Sequence, residues 1–124
     1  MKFVYASSDD SLDFYPKNNS FDFTVNLPHS ISGNLFIALG EIYYTSHGED
    51  LLVFCDLCED SFIKGTSLPV LRSVSHTGEF THLYFHSVTR ATIQRIRIYI
   101  TNNNLETPSA DIGPVRCLLI FKEI

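Results

Sequence analysis

The sequence predicts an all-β chain folded as a single antiparallel sandwich of about eight strands. Three observations carry that expectation. Two segments alternate cleanly: Phe21, Phe23, Val25 and Leu27 against Asp22, Thr24 and Asn26, and Ile96, Ile98 and Ile100 against Arg97, Tyr99 and Thr101. A period of two puts every apolar residue on one face of a strand. Residues 35–44 are nearly continuously apolar, the pattern of a strand covered on both faces, and 51–55 and 115–121 are apolar strands as well. Helical periodicity is missing except for a weak stretch at 88–94, whose Thr89, Thr92 and Ile93 are poor helix formers.

The elements follow in order. Residues 2–6 form a short apolar strand, and 21–27 form the first amphipathic one, ended by Pro28, which cannot donate to a ladder. Ser32-Gly33-Asn34 turns the chain into the strand at 35–44, and Ser46-His47-Gly48-Glu49-Asp50 turns it into 51–55. A short strand is expected at 69–74, and another at 81–88, alternating around Leu83, Phe85 and Val88. The second amphipathic strand spans 96–101. The polar loop 102–113 then leads into the closing strand, 115–121. Eight short strands with no helix between them suit a single antiparallel jelly-roll β-sandwich, two sheets of four. An immunoglobulin-type sandwich is the runner-up; it would usually carry a core Trp and two spaced Cys, which are missing here.

The 124 residues suit one domain, 1–124, with 1–20 as a flexible or partly extended lead. A core of this size needs no disulfide or metal. The net charge of −5, with no basic stripe beyond Arg90, Arg95 and Arg97, argues against direct binding to nucleic acid. No apolar run reaches the length of a membrane span, and the start of the chain is too short in its apolar part for a signal peptide. Three cysteines do not make a disulfide framework. Cys55 and Cys58 form a C-x-x-C beside Asp56, Glu59 and Asp60, where negative charge opposes thiolate formation, so these read as buried free thiols. Cys117 and the scattered His29, His47, His76, His82 and His86 lack zinc-site spacing. The turn at Asp56, Glu59 and Asp60 has too few oxygens for a hard-cation loop, and Asp9, Asp10 and Asp13 read as an acidic lead. Asn18-Asn19-Ser20 fits a glycosylation acceptor that has no meaning without secretion. No nucleophile-elbow or protease signature occurs, and neither catalytic residues nor a cofactor are expected.

The order of the strand patterns resembles a known family. The segment FYPKNNSFDFTVNLPHSISGNLFIALGEIYY, with Phe23, Val25, Leu27 and Pro28 and then Gly33, Phe36, Ala38, Leu39, Glu41, Ile42 and Tyr44, resembles the opening of the small jelly-roll proteins of Polintons, adintoviruses and virophages. Cys55, Asp56, Leu57, Ile63, Gly65, Leu71, Arg72 and Val74 match a following stretch of the pattern, and IQRIRIYITNNN with GPVRCLLIFKEI resembles its closing strand pair. The match departs at Phe36, where the pattern has Trp, and in the loop 102–113. The resemblance implies a non-enzymatic viral structural protein: a penton-like minor capsid or virion-surface jelly roll, made in the host cell and located in the virion. Its partners would be copies of itself in a pentamer or trimer, other capsid proteins and a host-cell receptor. Two alternatives are a trimeric fibre-head or TNF-like receptor-binding module, and a monomeric carbohydrate- or ligand-binding sandwich displaying aromatics such as Tyr43, Tyr44, Tyr84 and Tyr99.

Two sets of residues are candidate contact sites. Arg95, Arg97 and Tyr99 share a strand face, as do His82, Tyr84 and His86, and Arg and Tyr are enriched at interfaces. The histidines, with His76, would make such an interface pH-sensitive. Receptor or partner contacts are expected on the loops, at Ser46, His47 and Glu49 and at Asn103, Asn104 and Glu106.

Overall fold

Phe23, Val25 and Leu27 are buried and their neighbours Asp22, Thr24 and Asn26 are half-exposed, so the alternation in the sequence is the alternation of a real strand. The computed structural model describes residues 1–124 and is all-β, with eleven strands and no helix. One antiparallel sheet runs from β1 (Lys2–Ser7) through β11 (Arg116–Glu123) to β3 (Leu35–Tyr43). Both β8 (Gly78–Glu79) and β9 (His86–Ser87) pair along the far side of β3. The second antiparallel sheet runs β2 (Asp22–Ser32), β10 (Thr92–Asn102), β4 (Leu51–Cys55) and β7 (Val70–Val74). A separate hairpin joins β5 (Ser61–Ile63) and β6 (Thr66–Leu68).

The inner faces of the two sheets meet in one core of 25 buried residues. Phe23, Ile96, Ile98 and Val53 contribute from the second sheet, and Ile37, Leu39, Leu119 and Phe121 from the first. The lead is tied to this core. Ser8 donates its amide to the Val115 carbonyl at 2.8 Å, and its hydroxyl accepts from the Val115 amide at 2.9 Å. The Asn18 side chain bonds both the amide and the carbonyl of Thr24, at 3.0 and 2.8 Å, and so fastens the crossing segment to β2.

The structure corrects the sequence reading in four places. Pro28 does not end β2, which continues to Ser32. Proline is tolerated because β2 is the outermost strand of its sheet and its register against β10 breaks here, between Ile93 and Arg95. The Gln94 side chain donates to the Leu27 carbonyl at 3.0 Å across that break. The region 81–88 is not one strand: β8 pairs with Glu41 and Ile42, β9 with Phe36 and Ile37, and the chain between them loops out. The weak helical stretch at 88–94 is a bridge and a bend entering β10, which begins at Thr92. The β5–β6 hairpin was not expected; its loop is Lys64-Gly65, both at positive φ, 49° and 75°, as a two-residue turn that follows the strand twist requires.

Candidate interaction surfaces

The structure brings Arg95, Arg97 and Tyr99 together on the outer face of β10, but two of the three are already engaged within the chain. The Arg97 guanidinium donates through Nε and Nη2 to the two Asp22 oxygens at 2.9 and 2.8 Å. Asp22 holds the Arg97 pKa above its ordinary value. The Arg97 amide donates to Asp56 Oδ1 at 3.0 Å. The Tyr99 ring stacks on Phe54, with centroids 4.7 Å apart and planes 6° from parallel; burial pushes its phenol pKa up. Arg95 is exposed opposite Asn26 and makes no ion pair.

His82, Tyr84 and His86 do not share a strand face. Only His86 lies in a strand, β9, with Nε2 2.8 Å from the Leu71 carbonyl. His82 and Tyr84 belong to the looped-out segment that Arg72 clamps. The Arg72 guanidinium lies 3.8 Å from the Phe80 ring centroid and 4.5 Å from that of Tyr84, and Nη1 donates to the His82 carbonyl at 2.7 Å. Two cation–π contacts at a part-exposed site and one charge-assisted hydrogen bond are together worth about 1–3 kcal/mol. Arg72→Ala is therefore expected to lower stability by about 1–2 kcal/mol and to speed amide exchange selectively at 80–86. Exchange read by mass spectrometry and unchanged in that window would contradict the clamp.

The two expected partner loops lie at the same end of the molecule, since Asn102 pairs with Leu51. Thr45 donates its amide to the Ile112 carbonyl at 2.8 Å, His47 Nε2 is 2.7 Å from the Asp111 carbonyl, and Glu49 accepts from Ser109. Asn102 Oδ1 accepts from the amides of Asn104 and Glu106, shaping the turn that carries Asn103. Lys64 Nζ donates to Asn104 Oδ1 at 2.9 Å, joining that turn to the β5–β6 hairpin. Ser46, His47 and Asn103 remain exposed.

The acidic turn is occupied by protein contacts: Asp56 pairs with Arg90 at 3.4 Å, and Asp60 accepts from the Ser67 hydroxyl at 3.0 Å. No group of three or more His, Cys, Asp or Glu side chains is placed to hold a metal ion. Cys55, Cys58 and Cys117 are free and buried. Burial, then contact with Cys58, raises the Cys55 thiol pKa well above its ordinary value. Burial alone pushes Cys117 up to about 12.

One apolar surface lies where the residue types did not single it out. On the first sheet Leu118, Ile120 and Ala38 are buried yet stand apart from the inter-sheet core, so they belong to the outer face. Phe3 lies beside Ile120 and Tyr5 beside Leu118 across β1 and β11. Phe3 is 59% exposed and Tyr5 67%. Gly40 leaves room for Ile120, whose Cδ1 would lie 2.6 Å from a Cβ at that position. The rim is polar: Tyr43 donates to Glu41 at 2.8 Å, which raises its pKa, Arg116 covers Tyr43, and Lys122 lies 4.6 Å from the Phe85 ring centroid. The sequence signal for this face was available: residues 115–121 are apolar on both faces, so the outer one needed cover. No helix is long and apolar enough to cross a membrane. Comparison with known proteins returned no match among protein-family models, curated proteins or solved structures.

Proposed function

We propose that the two sheets form a jelly roll, and that the chain is a non-enzymatic structural module of a virion shell or its surface projection that assembles with copies of itself. The observation that supports this best is strand order. With β8 and β9 counted as one interrupted strand and β5–β6 as an insertion, the sheets read β1-β11-β3-β8/β9 and β2-β10-β4-β7. Consecutive strands cross between the sheets from β1 to β4, and the first strand pairs with the last. Strands that alternate between two sheets of four in this way support the jelly-roll reading.

Self-assembly is supported by the outer face of the first sheet. Exposed aromatics beside a buried aliphatic floor and inside a charged rim mark a protein contact more often than bare surface. Fold alone does not specify function, so the virion role rests on the family resemblance in strand patterns together with this face.

The test is solution mass by light scattering over a dilution series. A species of several 14.1 kDa chains that survives dilution is expected. Five chains would favour a vertex ring and three a fibre-type head, since closed rotational symmetry satisfies either set of contacts. A strict monomer at every concentration would remove the assembly reading and favour a monomeric ligand-binding sandwich.

A further inference from the structure

The sheet that carries the apolar face ends in an unpaired edge. β1 bonds to β11 on one side and to no strand on the other. Its bonding pattern follows from the Ser8 amide, which donates to the Val115 carbonyl next to β11. Backbone groups on one side of a strand recur every second residue. The amides and carbonyls of Lys2, Val4 and Ala6 therefore point at β11, and those of Phe3, Tyr5 and Ser7 point at the free edge. The Ser7 carbonyl is already used, accepting from the Asp10 amide at 3.0 Å. Five edge groups remain open: the amide and carbonyl of Phe3 and of Tyr5, and the amide of Ser7.

Natural edge strands are blunted by prolines, bulges or inward charges. The strand Lys2–Ser7 has no proline, its register against β11 is unbroken, its only charge is Lys2, exposed at the strand's end, and two exposed aromatics decorate it. We infer that this edge is a contact with a second copy of the chain, formed by antiparallel pairing of β1 with its equivalent across a two-fold axis. The inference rests on the self-assembly reading above and names one of its contacts: in a ring the edge would join one ring to another, and in the isolated chain it gives a dimer.

The strand is self-complementary in one register. Residues opposed across an antiparallel pair share a face, so Phe3 and Tyr5 can oppose only odd-numbered residues of the second copy. Placing Phe3 against Tyr5 uses the four groups of Phe3 and Tyr5 in reciprocal hydrogen bonds and sets Val4 against Val4 on the axis. The register one step along, with Tyr5 against Tyr5, would need the Ser7 carbonyl that Asp10 already occupies. The favoured register also makes two Phe–Tyr cross-strand pairs, a stabilising combination. Charge agrees with it. Lys2 lies at one end of β1 and exposed Asp9 and Asp10 follow the other, so antiparallel pairing puts the basic end of each copy beside the acidic end of its mate. Pairing continues the first sheet across the axis and extends the apolar outer face on both sides.

Two changes test this on the full chain. Tyr5→Pro removes a donor that faces the free edge and leaves the β11 ladder whole, since an outward-facing edge position accepts proline. Val4→Cys places two thiols on the axis about 4.5 Å apart between Cα atoms, within disulfide reach. The native thiols are buried, so a mild copper oxidant should cross-link Val4→Cys into a dimer and leave an exposed control, Ser73→Cys on β7, uncoupled. The expected result is a concentration-dependent doubling of the 14.1 kDa mass, lost in Tyr5→Pro, together with rapid cross-linking of Val4→Cys. A larger oligomer that is indifferent to Tyr5→Pro and does not cross-link at Val4→Cys overturns the edge contact while leaving self-assembly standing. A dimer lost in Tyr5→Pro with no larger species upholds the edge and removes the ring. If Tyr5→Pro does not fold, the cross-link decides alone.

Discussion

Phe54→Ala is expected to lower the unfolding free energy by about 3–5 kcal/mol, the range for truncating a fully buried aromatic. Phe54 is completely buried but lies outside the inter-sheet core, on the outer side of β4. It is flanked by Tyr99 on β10, its stacking partner, and by Val70 on β7. Removing the ring leaves a void against Tyr99 and the adjoining strand, which two laddered strands cannot collapse to fill. A domain of this size typically has about 5–15 kcal/mol in total, so the variant should stay folded with a much lower urea midpoint. Tyr99→Ala should cost less, because Tyr99 is only partly buried. A loss under about 1 kcal/mol for Phe54→Ala would show that the stack is ornamental and that the face tolerates a cavity.

Stability is also expected to fall steeply in alkali, between about pH 8.5 and about pH 12. An unfolded thiol titrates near 8.5, whereas buried Cys117 keeps its proton up to about 12 and Cys55 is raised well above its ordinary value. Between those limits the folded state holds a proton that the unfolded state has released, so unfolding free energy decreases with pH. The contribution is complete below the unfolded value and gone once pH passes the folded one. The slope is about 1.4 kcal/mol per pH unit for each such thiol. Tyr43, Tyr44 and Tyr99, all raised, act in the same direction above about pH 10. Urea midpoints from about pH 8 to about pH 11 should show the decline, and Cys117→Ala should flatten it by one proton. An unchanged slope in that variant would place the proton release elsewhere.

The strands that carry the core were readable because they announce themselves twice, by alternation and by length. β2, β3, β4, β10 and β11 all fall where apolar runs or clean alternation lie. The rest failed for physical reasons. Pro28 reads as a terminator in any central strand, but β2 is an edge with a broken register, and only tertiary context reveals that. Residues 81–88 carry a strand's alternation, yet the chain leaves β3 after Phe80, and Arg72 holds the His82 carbonyl and the Tyr84 ring in the looped-out segment. The β5–β6 hairpin has three-residue arms, too short for periodicity, and its one signal was Lys64-Gly65. Among the candidate contact residues, chemistry was legible but occupancy was not. Arg97 and Tyr99 have the right types for an interface, and the fold uses both on Asp22 and Phe54. Phe3 and Tyr5 went unremarked because five residues near the start of a chain do not show which flank is left open.

The pairing of β1 with β11 has a consequence for how the chain is made. A ribosome delivers the strand Lys2–Ser7 more than a hundred residues before its only neighbour, with Lys2 matched to Phe121. At about 5–20 residues per second the opening strand waits about 6–25 s for a partner. β2 waits similarly for β10. During vectorial synthesis no strand of the first sheet can pair with β1 until β11 has been made, so the nascent chain shows Phe3 and Tyr5 on an unpaired strand for all of that interval.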